Sequence, residues 1–452
     1  MTIRFLLFAA LILLAKGVSA AETPPELAGF EPKLTIYLAK GPADSCGPGC
    51  DHWIAVEGKI DQDAADRVRR FLRGVKDARR PIYFYSPGGS VDPGFAIGRL
   101  LRNRKAIARV GRTIVTACAA GYQIDDACLK IKTGGGEVEG SIQTRGAMCN
   151  SACSYLFLGA TTREVAPDAA VGVHSSKLTL IVHGHATAGQ IAEIRQRDMA
   201  KADRERAAFI VAMGIDRQLD DLIKTVKFES MHVLTRPELY RFGIDKRDVS
   251  ETPWTLETGG RPHVQKIAFS RKADGSAFRA LQWQLFCAIK QPPRLVFTRE
   301  FDEGATGTIS VALMAGPEKS LVFKFPARTG KYDVWSAAIA PDMLKAVLEA
   351  PRLQMEEGSS SPDGKTDMPI VDIDNSGLQE AWTQLLPLCS VFPAPTPARP
   401  LVAWPSAPSA ASAPAGLSSA VTSPASAQPV AVPPAVTSPA ATAPDAGSAG
   451  AE

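Results

Sequence analysis

Between Leu34 and Pro253, runs that read as strands alternate with runs that read as helices, and this alternation restricts the fold more than any other feature of the chain. Strands are expected at LTIYLA, WIAVEGKI, PIYFYS, RTIVTAC and AAVGVH. Helices are expected at Asp61–Arg79, Gly94–Arg104, Ser151–Ala160 and Ala188–Met213. In the first helix Ala64, Val68, Leu72 and Val75 recur at helical spacing. A β–α alternation of this kind predicts an α/β domain with a largely parallel sheet. Residues 119–147 interrupt it. Their Gly-rich, polar stretch TGGGEVEGSIQTRG reads as an inserted hairpin or solvated loop, with a lid as the alternative.

The flanks are different. The chain opens with Arg4 followed by an apolar run from Phe5 to Ala15 and small residues at Val18–Ala20. That pattern reads as a secretory signal peptide, residues 1–20, cleaved after Ala20. An uncleaved anchor is the alternative, although the run is short of the roughly 20 residues that span a bilayer. The expected location is therefore periplasmic or secreted. Residues 33–253 form the α/β domain. Residues 255–390 alternate apolar and polar side chains between Gly/Pro/Asp turns, which predicts a mainly β, sandwich-like domain of unassigned role with one helix near Asp342–Glu349. From 391 to 452 the chain is Ala, Pro, Ser, Val and Thr with almost no charge, expected to be a disordered tail.

Export gives meaning to the eight cysteines, since an even count in an oxidising compartment suggests disulfides. Cys46 with Cys50 and Cys287 with Cys389 are plausible pairs, while Cys118, Cys128, Cys149 and Cys153 can combine in several ways. Zinc is a rival for the closely spaced pairs, but no histidine partners them, so neither a metal nor another cofactor is expected. Charge is near balance, 51 basic against 47 acidic residues, without a basic block of the kind that grips nucleic acid.

Three short segments carry chemistry. At Ser86-Pro87-Gly88-Gly89 an apolar strand ends on two glycines just before a helix. This is either a plain turn or a loop that presents bare N–H groups to an anionic oxygen. At CNSACSYLFLG, Ser151 opens an apolar helix. It is either an N-cap or a hydroxyl placed to attack a carbonyl, with the Ala152 N–H helping to hold the oxyanion. Ser154 is the competing serine. His174 ends the run AAVGVH, and His183 and His185 form an HGH that offers a second, metal-chelating reading.

The order SPGGSVxxGxAI, then a serine in an Ala-rich helix start, then PDAAVGVH, resembles the Clp-type serine peptidases of the ClpP/crotonase-like superfamily. The resemblance runs from about Trp53 to Asp245 and includes LTRPELYRFGI at Leu234–Ile244. It implies the superhelical fold of repeated ββα units. It also implies Ser151 as nucleophile, His174 as general base, and Gly88, Gly89 and Ala152 as the oxyanion region. The acid departs from the pattern, because Lys227 falls where the family has an aspartate. Glu229, Asp220 and Asp221 are the nearby candidates; without one, the site is a Ser–His dyad or inactive. The resemblance implies a peptide or unfolded-protein substrate and leaves room for a homo-oligomer, and for an envelope partner on the β domain or tail. The alternatives are an inactive ClpP-like scaffold or binding protein and an acyl-CoA enzyme of crotonase type.

Overall fold

A computed structural model of the chain describes residues 32–119, 123–178, 180, 186–272, 275, 277–300, 309–324, 326–359 and 370–389. The expected signal peptide, His183, His185 and the expected disordered tail lie outside them. Up to residue 241 the elements are β1 (Thr35–Lys40), β2 (His52–Glu57), α1 (Ala64–Gly74), β3 (Ile82–Tyr85), α2 (Val91–Arg104), β4 (Ile107–Val110), β5 (Arg112–Val115), α3 (Asp126–Thr133), β6 (Glu137–Gln143), β7 (Met148–Asn150), α4 (Ala152–Gly159), β8 (Thr162–Glu164), β9 (Ala170–Val173), α5 (Ala188–Ala212), α6 (Gln218–Thr225), β10 (His232–Val233) and α7 (Arg236–Arg241).

Seven strands form one sheet in the order β5-β6-β1-β2-β3-β4-β8. Parallel pairs join β2, β3, β4 and β8 in turn, while β1 runs antiparallel to β2. The strand β2 is apolar on both faces because both are covered. Ile54 and Val56 point into a core shared with α1, α2, α4 and Phe209 of α5. Trp53 and Ala55 point the other way, into a smaller cluster with Tyr37, Cys46 and Tyr83. A second sheet of three strands, β10-β9-β7, stands beside the first. The two are joined at Ser86, whose N–H donates to Met148 O (2.9 Å) and whose carbonyl accepts from Asn150 N (3.0 Å).

From residue 123 on, the interruption at 119–147 is structured, which corrects the expectation of a loop, hairpin or lid. It folds into α3 and then β6, which lies parallel to β1 and antiparallel to β5. Polarity hid the strand: β6 keeps most of its side chains partly or fully in solvent, so it shows little apolar alternation. Its anchor is ionic. The Lys132 ammonium of α3 reaches Glu57 Oε2 (2.8 Å) and Gln123 O (2.9 Å) in a buried position, and a Cys118–Cys128 disulfide fastens the base of the helix.

Residues 249–389 build a separate core from Trp254 to Leu385. An antiparallel sheet of seven strands contains the long strands His263–Arg271, Phe278–Ala288 and Gln291–Glu300. A four-stranded sheet contributes Val311, Leu313, Leu353 and Met355 to the same core. The helix expected near Asp342–Glu349 spans Pro341–Glu349. Among the described residues no helix is long and apolar enough to cross a membrane.

Candidate active site

Ser151 is one of four non-glycine residues with positive φ among the described residues. The residue joins β7 to α4 with φ 55° and ψ −125°, a combination that costs a residue with a Cβ about 1–3 kcal/mol. Its surroundings impose it. The Ser151 N–H donates to Gly172 O (2.8 Å), which continues the β7–β9 ladder. One residue later the chain is helical, and Ser154 donates to the Ser151 carbonyl through both its N–H (3.0 Å) and its hydroxyl (2.7 Å). A disulfide between Cys149 and Cys153 spans the turn, with 5.1 Å between the Cα atoms. The Ser151 hydroxyl makes no capping bond to the helix it precedes. Ser151 is half-buried, and its hydroxyl has no hydrogen bond among the described residues. The competing serine, Ser154, is buried and committed to the backbone.

The glycine loop lies directly against this turn. At Gly88, with φ 110°, an added Cβ would stand 2.6 Å from Ser151 Cβ and 2.7 Å from Asn150 O. At Gly89, with φ 140°, it would collide with the Ile60 backbone. Only residues without a side chain fit either position. The Gly88 N–H donates to Ser86 Oγ (3.1 Å). The N–H groups of the exposed Gly89 and of Ala152, the first residue of α4, have no acceptor among the described residues.

The helices α2 and α4 both start beside this turn and pack closely. Gly94, Gly98 and Gly159 lie where an added Cβ would strike the facing helix backbone. Every residue of α4 is buried.

His174 leaves β9 where Ser151 leaves β7. The strands are parallel neighbours with Asn150 opposite Gly172, so the two residues emerge at the same end. The imidazole is half-buried, and its Nδ1 lies 2.8 Å from Ser175 O. A carbonyl can only accept, so Nδ1 carries the proton and Nε2 of the neutral ring is left as the basic nitrogen. No hydrogen bond joins the Ser151 hydroxyl to the ring among the described residues. In unliganded enzymes such bonds are commonly long and tighten only around a substrate.

None of the three carboxylates singled out from the sequence bonds to His174. Asp220 is fully buried under Arg206 Nε (2.7 Å) and Lys224 Nζ (2.6 Å), a structural ion pair of α5 and α6. Asp221 is exposed beside Lys224 (3.8 Å), and Glu229 is exposed in the turn that follows α6. The Ser175 carbonyl takes the position on Nδ1, and a backbone group has no sequence signal. Phe228 is a second neighbour that the motifs did not point to; its ring meets the imidazole edge-on, 5.1 Å between centroids.

The four pairs Cys46–Cys50, Cys118–Cys128, Cys149–Cys153 and Cys287–Cys389 account for all eight cysteines. Among the described residues no cluster of His, Cys, Asp and Glu has the makings of a metal site. A cleft of about 260 Å³ opens elsewhere, between the Cys46 turn and the start of the second core, lined by Arg109, Glu164, Arg247 and Glu251. Neither Ser151 nor His174 borders it.

No protein-family model matches the chain, and no curated protein does. Among solved structures, a mutant of the membrane-bound stomatin-specific protease 1510-N is similar at 15% identity, covering 42% of this chain and 75% of that one with a TM-score of 0.25. A mutant of ClpP1 from Listeria monocytogenes is similar at 17% identity, covering 42% and 85%, with a TM-score of 0.26. At such TM-scores the likeness carries no argument, so any functional reading stands on the geometry around Ser151.

Proposed function

We propose that the protein is an exported serine hydrolase, a peptidase that forms an acyl-enzyme on Ser151 with His174 as general base. One observation carries the reading: Ser151 is held in a strained strand-to-helix turn with its hydroxyl uncommitted, flush against a Gly-Gly loop. Backbone strain that the surroundings over-determine is characteristic of reactive positions.

In this reading Ser151 Oγ attacks the substrate carbonyl carbon while His174 Nε2 removes its proton. The oxyanion is held by the N–H groups of Gly89 and Ala152. Gly88 contributes by its lack of a side chain, since its own N–H is engaged by Ser86. The His174 proton then passes to the leaving amine, and a water activated by the same nitrogen hydrolyses the ester. Ser175 O favours the Nδ1–H tautomer, one part of what an acid does; no described carboxylate supplies the charge-stabilising part, and turnover should be slow. The leader-like first 20 residues and the four disulfides support export. Outside the cytoplasm no ATP-driven unfoldase feeds a peptidase, so short or already unfolded chains are the fitting substrates. A homo-oligomer or an envelope partner on the second core is compatible with this role.

A second reading is favoured because no carboxylate among the described residues bonds to His174: a ClpP-like scaffold that binds without cleaving. Labelling with a fluorophosphonate separates the two. A hydrolase is labelled at Ser151, and both Ser151→Ala and His174→Ala abolish the signal. Folded, oxidised protein that takes up no probe sinks the hydrolase and leaves the scaffold.

A further inference from the structure

The turn between α6 and β10 holds an aromatic residue that packing alone does not require. Phe228 is 44% exposed, and isolated surface phenylalanines need no explanation in general. This one has two constraints. Its ring meets the His174 imidazole at a centroid distance of 5.1 Å and an interplanar angle of 72°. The turn carrying it is sewn to the histidine's own segment on both sides. Before it, the Ser175 N–H donates to Val226 O (2.9 Å); after it, His232 pairs with Val173 in the β10–β9 ladder. The turn also closes on itself, with the Ser230 N–H donating to Lys227 O (3.0 Å). Phe228 is thus held over the imidazole by the same strand that ends in His174, with the Lys177 ammonium over it at 5.8 Å from the ring centroid.

One hydrogen bond does not fix a ring. The Ser175 carbonyl favours a proton on Nδ1 only while the ring faces it, and an imidazole that swings out of that contact loses the preference. In a Ser–His–acid triad the carboxylate supplies both tautomer and orientation. We propose that Phe228 is a positioning residue for His174, which it holds by edge-to-face packing so that, together with the Ser175 carbonyl, it keeps Nε2 directed at Ser151 in place of an acid. The inference rests on the hydrolase reading for its catalytic consequence, but the ring's state is measurable without catalysis.

Two measurements test it on the mature chain with its disulfides formed. The first is the long-range proton–nitrogen NMR spectrum of the histidine rings in Ser151→Ala protein, with His174 assigned through His174→Gln. The expected result is a single Nδ1–H tautomer for His174, which becomes a mixture in Phe228→Ala and is restored in Phe228→Tyr. The second is the kinetics of fluorophosphonate labelling. Phe228→Ala should lower the maximal inactivation rate about 10- to 100-fold, the scale of a misplaced reacting group, with the probe's binding constant unchanged. Phe228→Tyr should recover the rate, and Glu229→Gln should leave it at the wild-type value. An unchanged His174 tautomer in Phe228→Ala overturns the proposal, as does an unchanged labelling rate in that variant. If the wild-type protein takes up no probe, the hydrolase reading fails, while the NMR result still decides what Phe228 does to His174.

Discussion

Ser151 illustrates how a single residue trades stability for placement. Its φ of 55° with ψ −125° is a glycine conformation occupied by a serine. Ser151→Gly should therefore raise unfolding stability by about 1 kcal/mol in a urea titration while eliminating probe labelling. Ser151→Ala, which keeps the strain and removes a hydroxyl that caps nothing, should fall within about 0.5 kcal/mol of wild type. A destabilised Ser151→Gly would show that the turn is not strained. Gly88 makes the complementary case. In Gly88→Ala the new methyl must displace Ser151 Cβ and Asn150 O, so labelling should drop at least about 100-fold even where circular dichroism shows a folded chain. The SPGG motif pointed to this loop from sequence. It did not separate the two glycines, because which N–H stays free depends on the Ser86 hydroxyl turning back to Gly88.

At the level of elements, the turn is a strand and a helix locked by a five-residue ring. Cys149 ends up in β7 and Cys153 in the first turn of α4, both fully buried, with Ser151 midway between them. Replacing both cysteines by alanine should slow labelling of Ser151 more than it lowers the melting temperature. The ring is too short to restrain much unfolded chain, but it restrains the one residue whose backbone must be exact. Equal labelling rates in the double variant and wild type would show that neighbouring hydrogen bonds suffice. The start of α1 carries a pH-dependent contribution. Arg67 of α1 donates to both oxygens of Asp61, one at 2.9 Å, and this bond holds the Asp61 carboxyl below its usual range. A depressed carboxyl adds stability above the ordinary aspartate range and loses it as the pH falls through the folded value. Asp61→Asn should accordingly be less stable than wild type at pH 7, with the gap closing below about pH 4. A constant gap across that range would place the effect elsewhere. Most strands missed from sequence gave a weak pattern. The strand β6 pairs on both sides, yet faces water with most of its side chains, and β4, β7 and β8 are only three or four residues long.

Among the described residues the two largest apolar cores run from Leu34 to Ile244 and from Trp254 to Leu385. The Cys287–Cys389 disulfide bridges a separation of 102 residues across the second. A ring of that size removes much freedom from the unfolded chain, on the order of 4 kcal/mol in the chain-entropy account. Tryptophan fluorescence should report it, since Trp283, Trp335 and Trp382 all lie in that core. In Cys287→Ala/Cys389→Ala the transition dominated by these residues should move to lower urea, with little change in labelling at Ser151. Loss of labelling in step with that transition would mean that the site depends on the second core.

By itself the sequence determined the local terms. Alternating apolar periods marked five of the strands and four helices of the first core, the glycine pair marked a backbone that must bend, and a serine at the head of an apolar helix marked a candidate nucleophile. These are readable because each depends on residues within a few positions of one another. The tertiary structure decided the rest. It bent Ser151 out of the N-cap role, since the β9 ladder and the buried disulfide hold it from both sides. It committed Asp220 to Arg206 and left Glu229 in solvent. It also set a carbonyl and a phenyl ring against His174, where the motif led one to expect a carboxylate. Such pairings join residues far apart in the chain, and their geometry is set by how strands and helices pack, which no local pattern encodes.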